Sequence, residues 1–254
     1  MQFQFGAGEF FGVPLTDYSG AAISNPTPVR LGAIQSMSLD VNADLKELHG
    51  QYQYALDAAR GKGKIGGKVE FAQINGRACN SLFFGQTLTS GTQNAIYADT
   101  TGTAIPSTPF TITPTVPGSG TWVEDMGVIL ADGTPLVRVA SAPATGQYSV
   151  SAGVYTFAAA DTGTTVFISF RYTRVLTSAK SIIVNNVAMG QAPTFKALAH
   201  CDYKGKKALI ILPQAMSQKL TLLGTKIDDH NMQTVEYSVF SSGVGSVFEI
   251  HTQE

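Results

Sequence analysis

Alternation of apolar and polar side chains is the strongest signal along this chain. Met37, Leu39 and Val41 alternate with Ser36, Ser38, Asp40 and Asn42, the period of two that puts successive side chains on opposite faces of a strand. Over residues 62–72 the same period returns with charge on one side. Lys62, Lys64, Lys68 and Glu70 share one face, while Ile65, Val69 and Phe71 share the other, so one side is wet and the other packed. Between these strands, residues 44–61 place Leu45, Leu48, Tyr52, Leu56 and Ala59 near helical spacing, but Gly50 interrupts the stripe. A long, partly ordered loop is predicted there, and loops of that length in compact domains commonly carry function.

Residues 74–84 hold the best helical stripe, with Ile74, Ala78 and Leu82 in line, Cys79 and Phe83 beside them, Asn75 placed to cap the start and Gly85 just past the end. Beyond it, strands are expected near 121–130, 135–140, 147–157 and 165–175, the last with Val166, Ile168, Phe170 and Tyr172 alternating against Phe167, Ser169 and Arg171. Asp132-Gly133 and residues 161–163 supply turns. The theme repeats at 182–187, at the apolar tract 208–212 that ends at Pro213, and at 220–223, 235–240 and 244–250. The expected fold is therefore mainly β, with two packed antiparallel sheets forming a sandwich or barrel and one flanking α-helix.

Charge divides the chain further. Lysine stops at Lys68 and resumes at Lys180, and six of the eleven prolines fall within 88–176. This middle stretch reads as an inserted small β domain of Ig-like kind, between flanks 1–87 and 177–254 that form one discontinuous domain. With 44% hydrophobic and only 14% charged residues, the chain is too apolar to be disordered, and its surface has little that insists on water. A net charge of −1 argues against gripping nucleic acid, which needs a basic face to displace counterions along the phosphates.

Catalytic chemistry has little to work with. Cys79 and Cys201 are too few for a disulfide framework and too far apart for a zinc knuckle, and two buried thiols are expected. Residues 61–64 (GKGK) lack the ending of a phosphate loop and a helix opening after it. The His200-Cys201-Asp202 and Asp228-Asp229-His230 runs contain ligand-type side chains, yet contiguous residues in a strand or turn rarely converge on one ion. His49, His200, His230 and His251 leave room for a triad only in space, with no nucleophile elbow to mark one. Trp122 at the start of a strand is expected to be a core or interface anchor. No catalytic residue, metal site or cofactor is expected. The first residues show no basic segment followed by an apolar stretch, and no run approaches membrane-spanning length, so synthesis in a cytoplasm without membrane insertion is expected.

The flanks carry a resemblance. Residues 28–40 (PVRLGAIQSMSLD), 44–51 (DLKELHGQ) and 58–65 (AARGKGKI) look like the start of bacteriophage major tail tube proteins. Residues 219–223 (KLTLL), the Asp228-Asp229 turn and the stretches 234–240 and 245–252 resemble that family's last strands, while 146–148 (GQY) and 153–157 (GVYTF) look like β material of other phage structural proteins. The resemblance implies a self-assembling structural subunit of the virion tail. Its copies would form stacked, hexameric rings whose sheets join into a continuous inner barrel, a channel through which DNA passes without being held. It further implies an inter-ring contact loop at 44–61, with Leu45, Leu48, His49, Gln51, Tyr52, Tyr54 and Arg60 as contact residues. Sheath, tape-measure and tail-terminator proteins are the further partners it implies. Asp40, Lys62, Lys64, Lys68 and Glu70 form the candidate lumen face; three lysines would attract phosphate, so either acids of another strand such as Asp40 offset them or this face points outward. In the same picture, strands at both ends of the chain take their missing partners from sister molecules. The rival reading is a β-sandwich binding module, such as a phage decoration or adhesin-like protein.

Overall fold

A computed structural model describes residues 6, 8–73, 75–222, 224, 227–228, 230–241, 243 and 245–253. In chain order the strands are β1 (Glu9–Pro14), β2 (Val29–Leu31), β3 (Ile34–His49), β4 (Ala55–Phe71), β5 (Leu88–Tyr97), β6 (Thr103–Ala104), β7 (Thr111–Ile112) and β8 (Thr121–Leu130). They continue with β9 (Val137–Arg138), β10 (Gln147–Ser151), β11 (Val154–Phe157), β12 (Thr165–Ile182), β13 (Phe195–Tyr203), β14 (Lys206–Thr221), β15 (Gln233–Val239) and β16 (Glu249–His251). A single α-helical turn, α1 (Gly76–Cys79), runs into a wider π-helical turn at Asn80–Phe84. The protein is mainly β, with packed antiparallel sheets and one short helix. Two compact units emerge: Met1–Leu88 with Ile182–Glu254, and Thr89–Ser181.

The first unit is one eight-stranded sheet in the order β2-β1-β13-β14-β15-β4-β3, with β16 also paired to β14. Only Gly32 and Ala33 separate β2 from β3, yet these strands lie at opposite edges of the sheet. Two residues reach about 10 Å at most, so the sheet must roll until its edges approach at that end. Ala72 N–H donates to Ala33 O at 3.0 Å across the join. The rolled interior holds Phe10, Leu31, Val69, Phe71, Phe195, Leu212, Val235 and Tyr237. Strict alternation of burial along β15, with Val235, Tyr237 and Val239 inward, is the period of two at work. The helical turns close one side with Ala78, Cys79 and Leu82. Asn75 Oδ1 caps the helix by accepting from Ala78 N–H at 3.2 Å, and Gly85 ends it in a left-handed conformation at φ 60°.

The second unit packs two four-stranded sheets, β7-β11-β10-β9 and β5-β12-β6 with β8 also paired to β12. Val166, Ile168, Phe170 and Tyr172 of β12 meet Ile112, Tyr148, Tyr155 and Phe157 of the other sheet in the core. A bulge in β8, between the partners of Ile168 and Phe170, turns Asp125 inward until its side chain is 3% exposed. There the carboxylate accepts from Tyr148 O–H at 2.7 Å, Tyr155 O–H at 3.1 Å and Gly127 N–H at 3.1 Å, with Arg138 Nη1 at 3.6 Å. Half-buried Trp122 adds an N–H donated to Tyr155 Oη at 3.4 Å. Burial, reinforced by the Asp125 carboxylate, pushes both tyrosine hydroxyls well above their usual pKa, so they remain donors. Where the chain enters and leaves this unit, Thr89 Oγ1 donates to Ser181 O at 3.2 Å.

Several expectations need correction. Residues 44–61 are not a loop: β3 runs on to His49 and β4 begins at Ala55, leaving only a short turn between them. The expected strand at 147–157 is a hairpin, β10 and β11, turning at Ala152 and Gly153. The one expected at 135–140 shrinks to β9. Residues 183–187 form no strand, and Ile183 and Val184 stand exposed. The apolar tract 208–212 does not end at Pro213, because β14 continues through a bulge that places Pro213 and Gln214 opposite Lys196 alone. Strands near the two ends also pair within the chain: β1 with β2 and β13, and β16 with β14. Ile74, Leu223, Asp229, Val244 and the first five residues lie outside the described residues.

Replacing Asp125 with Ala leaves two buried tyrosine hydroxyls without their acceptor and is expected to destabilise the chain by at least about 2 kcal/mol. Denaturant unfolding, with Tyr155→Phe as the milder comparison, measures the difference.

Candidate assembly surface

The β3–β4 pairing begins inside the rolled sheet, where Ile34 faces Phe71, and ends at His49 opposite Ala55. Every residue from Asp40 to Lys64 is exposed, on both faces of the ribbon. The result is a two-stranded arm that no described residue covers on either face. Its apolar side chains stand largely in water: Leu45 and Leu48 are 62% exposed, Leu56 67%, Tyr52 72% and Tyr54 80%. Free two-stranded ribbons are marginal in water, and contiguous exposed apolar surface marks an interface. His49 Nε2 sits 3.2 Å from Glu47 Oε2, Gln51 lies in the exposed turn, and Arg60 pairs in register with Leu45. The arm thus carries all seven residues expected of a contact loop on a strand pair.

Among the described residues strand β3 pairs with β4 alone, which leaves its other edge with backbone donors and acceptors free of any described strand. No reading of periodicity marked this edge, since alternation shows which face is buried and not which neighbour is missing.

The polar face lies on the same two strands. Lys68 Nζ reaches Glu70 Oε1 at 2.7 Å, Ser36 Oγ donates to Glu70 Oε2 at 2.9 Å, and Lys219 Nζ lies 3.2 Å from Glu236 Oε1. Register puts Glu236 beside Lys68, Asp40 beside Gly66 and Asn42 beside Lys64. Ser38, Asp40, Asn42, Lys64, Lys68 and Glu236 line one shallow depression of about 310 Å³. Lys62 falls at a bulge, where it and Gly61 stand opposite Asp44 alone. Acids drawn from three strands are therefore interleaved with the lysines. Glu236, which lies far along the chain from Lys68, was missed because only the β15–β4 pairing brings them together.

Elsewhere the potential chemistry stays scattered. Cys79 is buried and Cys201 half-buried, and desolvation raises both thiols. His200 Nδ1 is 4.0 Å from Glu9 Oε2, and His251 Nε2 is 3.4 Å from Glu249 Oε2. Among the described residues no three His, Cys, Asp or Glu side chains gather as a metal site, and no helix is long and apolar enough to cross a membrane. A cavity of about 590 Å³ lies within the rolled sheet and is lined by Met37, Leu39, Ile210 and Leu212, with Cys201 at one side. No protein-family model matches the chain, and no curated protein matches it.

The hydrogen bond from Lys68, followed by that from Ser36, holds the Glu70 carboxyl below its ordinary value of 4.5. A carboxyl depressed in the folded state stabilises the fold fully above 4.5 and loses that contribution as pH falls through the folded value. The thermal midpoints of wild type and Glu70→Gln should therefore differ most at neutral pH and converge in acid. A gap that is constant with pH would contradict this account.

Proposed function

We propose that this chain is the structural subunit of a bacteriophage tail tube, assembling with copies of itself into stacked rings around a channel for DNA. The observation that carries the reading is the β3–β4 arm, which presents Leu45, Leu48, Tyr52, Tyr54 and Leu56 to water beside a strand edge that no described strand pairs with. Such an arm needs a partner to bury it, and such an edge needs a strand to pair with. Copies of one chain can supply both and close into a ring. The interleaved Lys68, Glu70, Lys219 and Glu236 face suits a channel wall, because paired charges leave little net field to hold phosphate. The resemblance of the two flanks to tail tube proteins points the same way, and sheath, tape-measure and terminator proteins would then be its partners in the virion tail.

Negative-stain microscopy and sedimentation of the purified chain test the proposal. Rings or filaments are expected, and Leu45→Ser with Leu48→Ser should abolish them while shifting folding stability by no more than about 0.5 kcal/mol, as exposed substitutions do. A wild-type chain that stays monomeric at high concentration would favour a decoration or adhesin-like binding module instead.

A further inference from the structure

At the base of the arm the first unit has a groove of about 480 Å³, walled by Val41 and Ile65 on one side and Phe240, Val247 and Phe248 on the other, with Gly63 in its lining. Gly63 has no left-handed backbone angle, and a Cβ built there would meet only Asn42 O, at 3.7 Å. Gly67, four residues on, differs: a Cβ there would lie 2.2 Å from the Tyr237 ring, so the fold itself requires that glycine. A strand glycine weakens its own strand and marks either a bulge, like the neighbouring one at Gly61 and Lys62, or a place where another backbone approaches closely. Among the described residues nothing occupies the space that Gly63 leaves open. Arg60, also lining the groove, makes no hydrogen bond or ion pair among the described residues.

We propose that this groove is the socket for the arm tip of a second copy, with Tyr52 and Tyr54 lying over Gly63 and the Asp57 carboxylate meeting Arg60. The inference rests on the self-assembly reading above and adds where the arm lands. A molecule's own tip cannot reach: eight residues of extended strand lie between Tyr54 and Gly63, a span of about 30 Å. The tyrosines are the most exposed aromatic rings of the arm, flat enough to lie on a surface with no side chain. Asp57, exposed close to the tip, supplies the charge that Arg60 lacks at home. Tip and socket are different surfaces of one chain, so the contact is head-to-tail and propagates from copy to copy.

The test uses the full chain carrying Gly63→Val, and separately a photo-crosslinking residue in place of Tyr54. Valine suits an extended strand, so Gly63→Val should unfold at the wild-type midpoint or above it while associating at least tenfold more weakly. Should that variant fold poorly, Tyr52→Ser with Tyr54→Ser gives the same readout from the tip. Irradiation of a mixture of isotopically labelled and unlabelled chains should join position 54 of one molecule to residues 239–248 of another. If the wild type assembles and Gly63→Val assembles equally well, or if the cross-links fall elsewhere, the socket assignment is wrong while the assembly reading stands. A wild type that never associates overturns both.

Discussion

Hydrogen bonds between β3 and β4 run unbroken, bulges aside, from the buried pair Ile34 and Phe71 to the exposed pair His49 and Ala55. Everything distinctive about the first unit follows from where along that ladder the side chains lose their cover. At the inner end Val69 and Phe71 are wholly buried, and the ladder is part of a core that holds it in register. Past Asp40 the same backbone pairing continues without a core, so the arm is positioned by its root and not by packing of its own. Cooperative attachment to a rolled sheet is what lets a ribbon too thin to be stable alone stand out from the surface.

That division explains what could be read from the sequence. The alternation of Met37 and Leu39, and of Ile65, Val69 and Phe71, was legible because those stretches turn one face toward the core, and Val41 continues the pattern by one step into the exposed arm. Beyond Asp40 neither face is buried, and apolar residues there answer to no period of two; Leu45, Leu48, Tyr52 and Leu56 could therefore pass for a broken helix. The identities of the exposed residues were visible, but their shared strand pair was not. Short strands such as β6, β7 and β9 left no periodic trace, because two residues cannot alternate. The break at Ala152 and Gly153 lies between two runs that each alternate, so together they read as one.

Polar chemistry in the second unit serves the fold. Asp125 would be a costly group to bury alone, and it survives because the β8 bulge delivers it to two tyrosine hydroxyls and a backbone amide. Charge was a poor guide here: the sequence marked Asp125 only as one acid among few, and the bulge that turns it inward has no signature beyond Gly127. Conversely, the ion pairs on the polar face of the first unit join exposed lysines to half-buried glutamates at the surface and contribute little to stability. Their significance is the cancellation of charge across neighbouring strands.

The second unit enters and leaves through neighbouring strands, with Thr89 and Ser181 joined by a hydrogen bond where β5 begins and β12 ends. The ninety-odd residues of this unit thus begin and end at neighbouring points on two paired strands. A module whose two ends meet in this way can be lengthened, exchanged or removed without drawing the chain on either side of it apart.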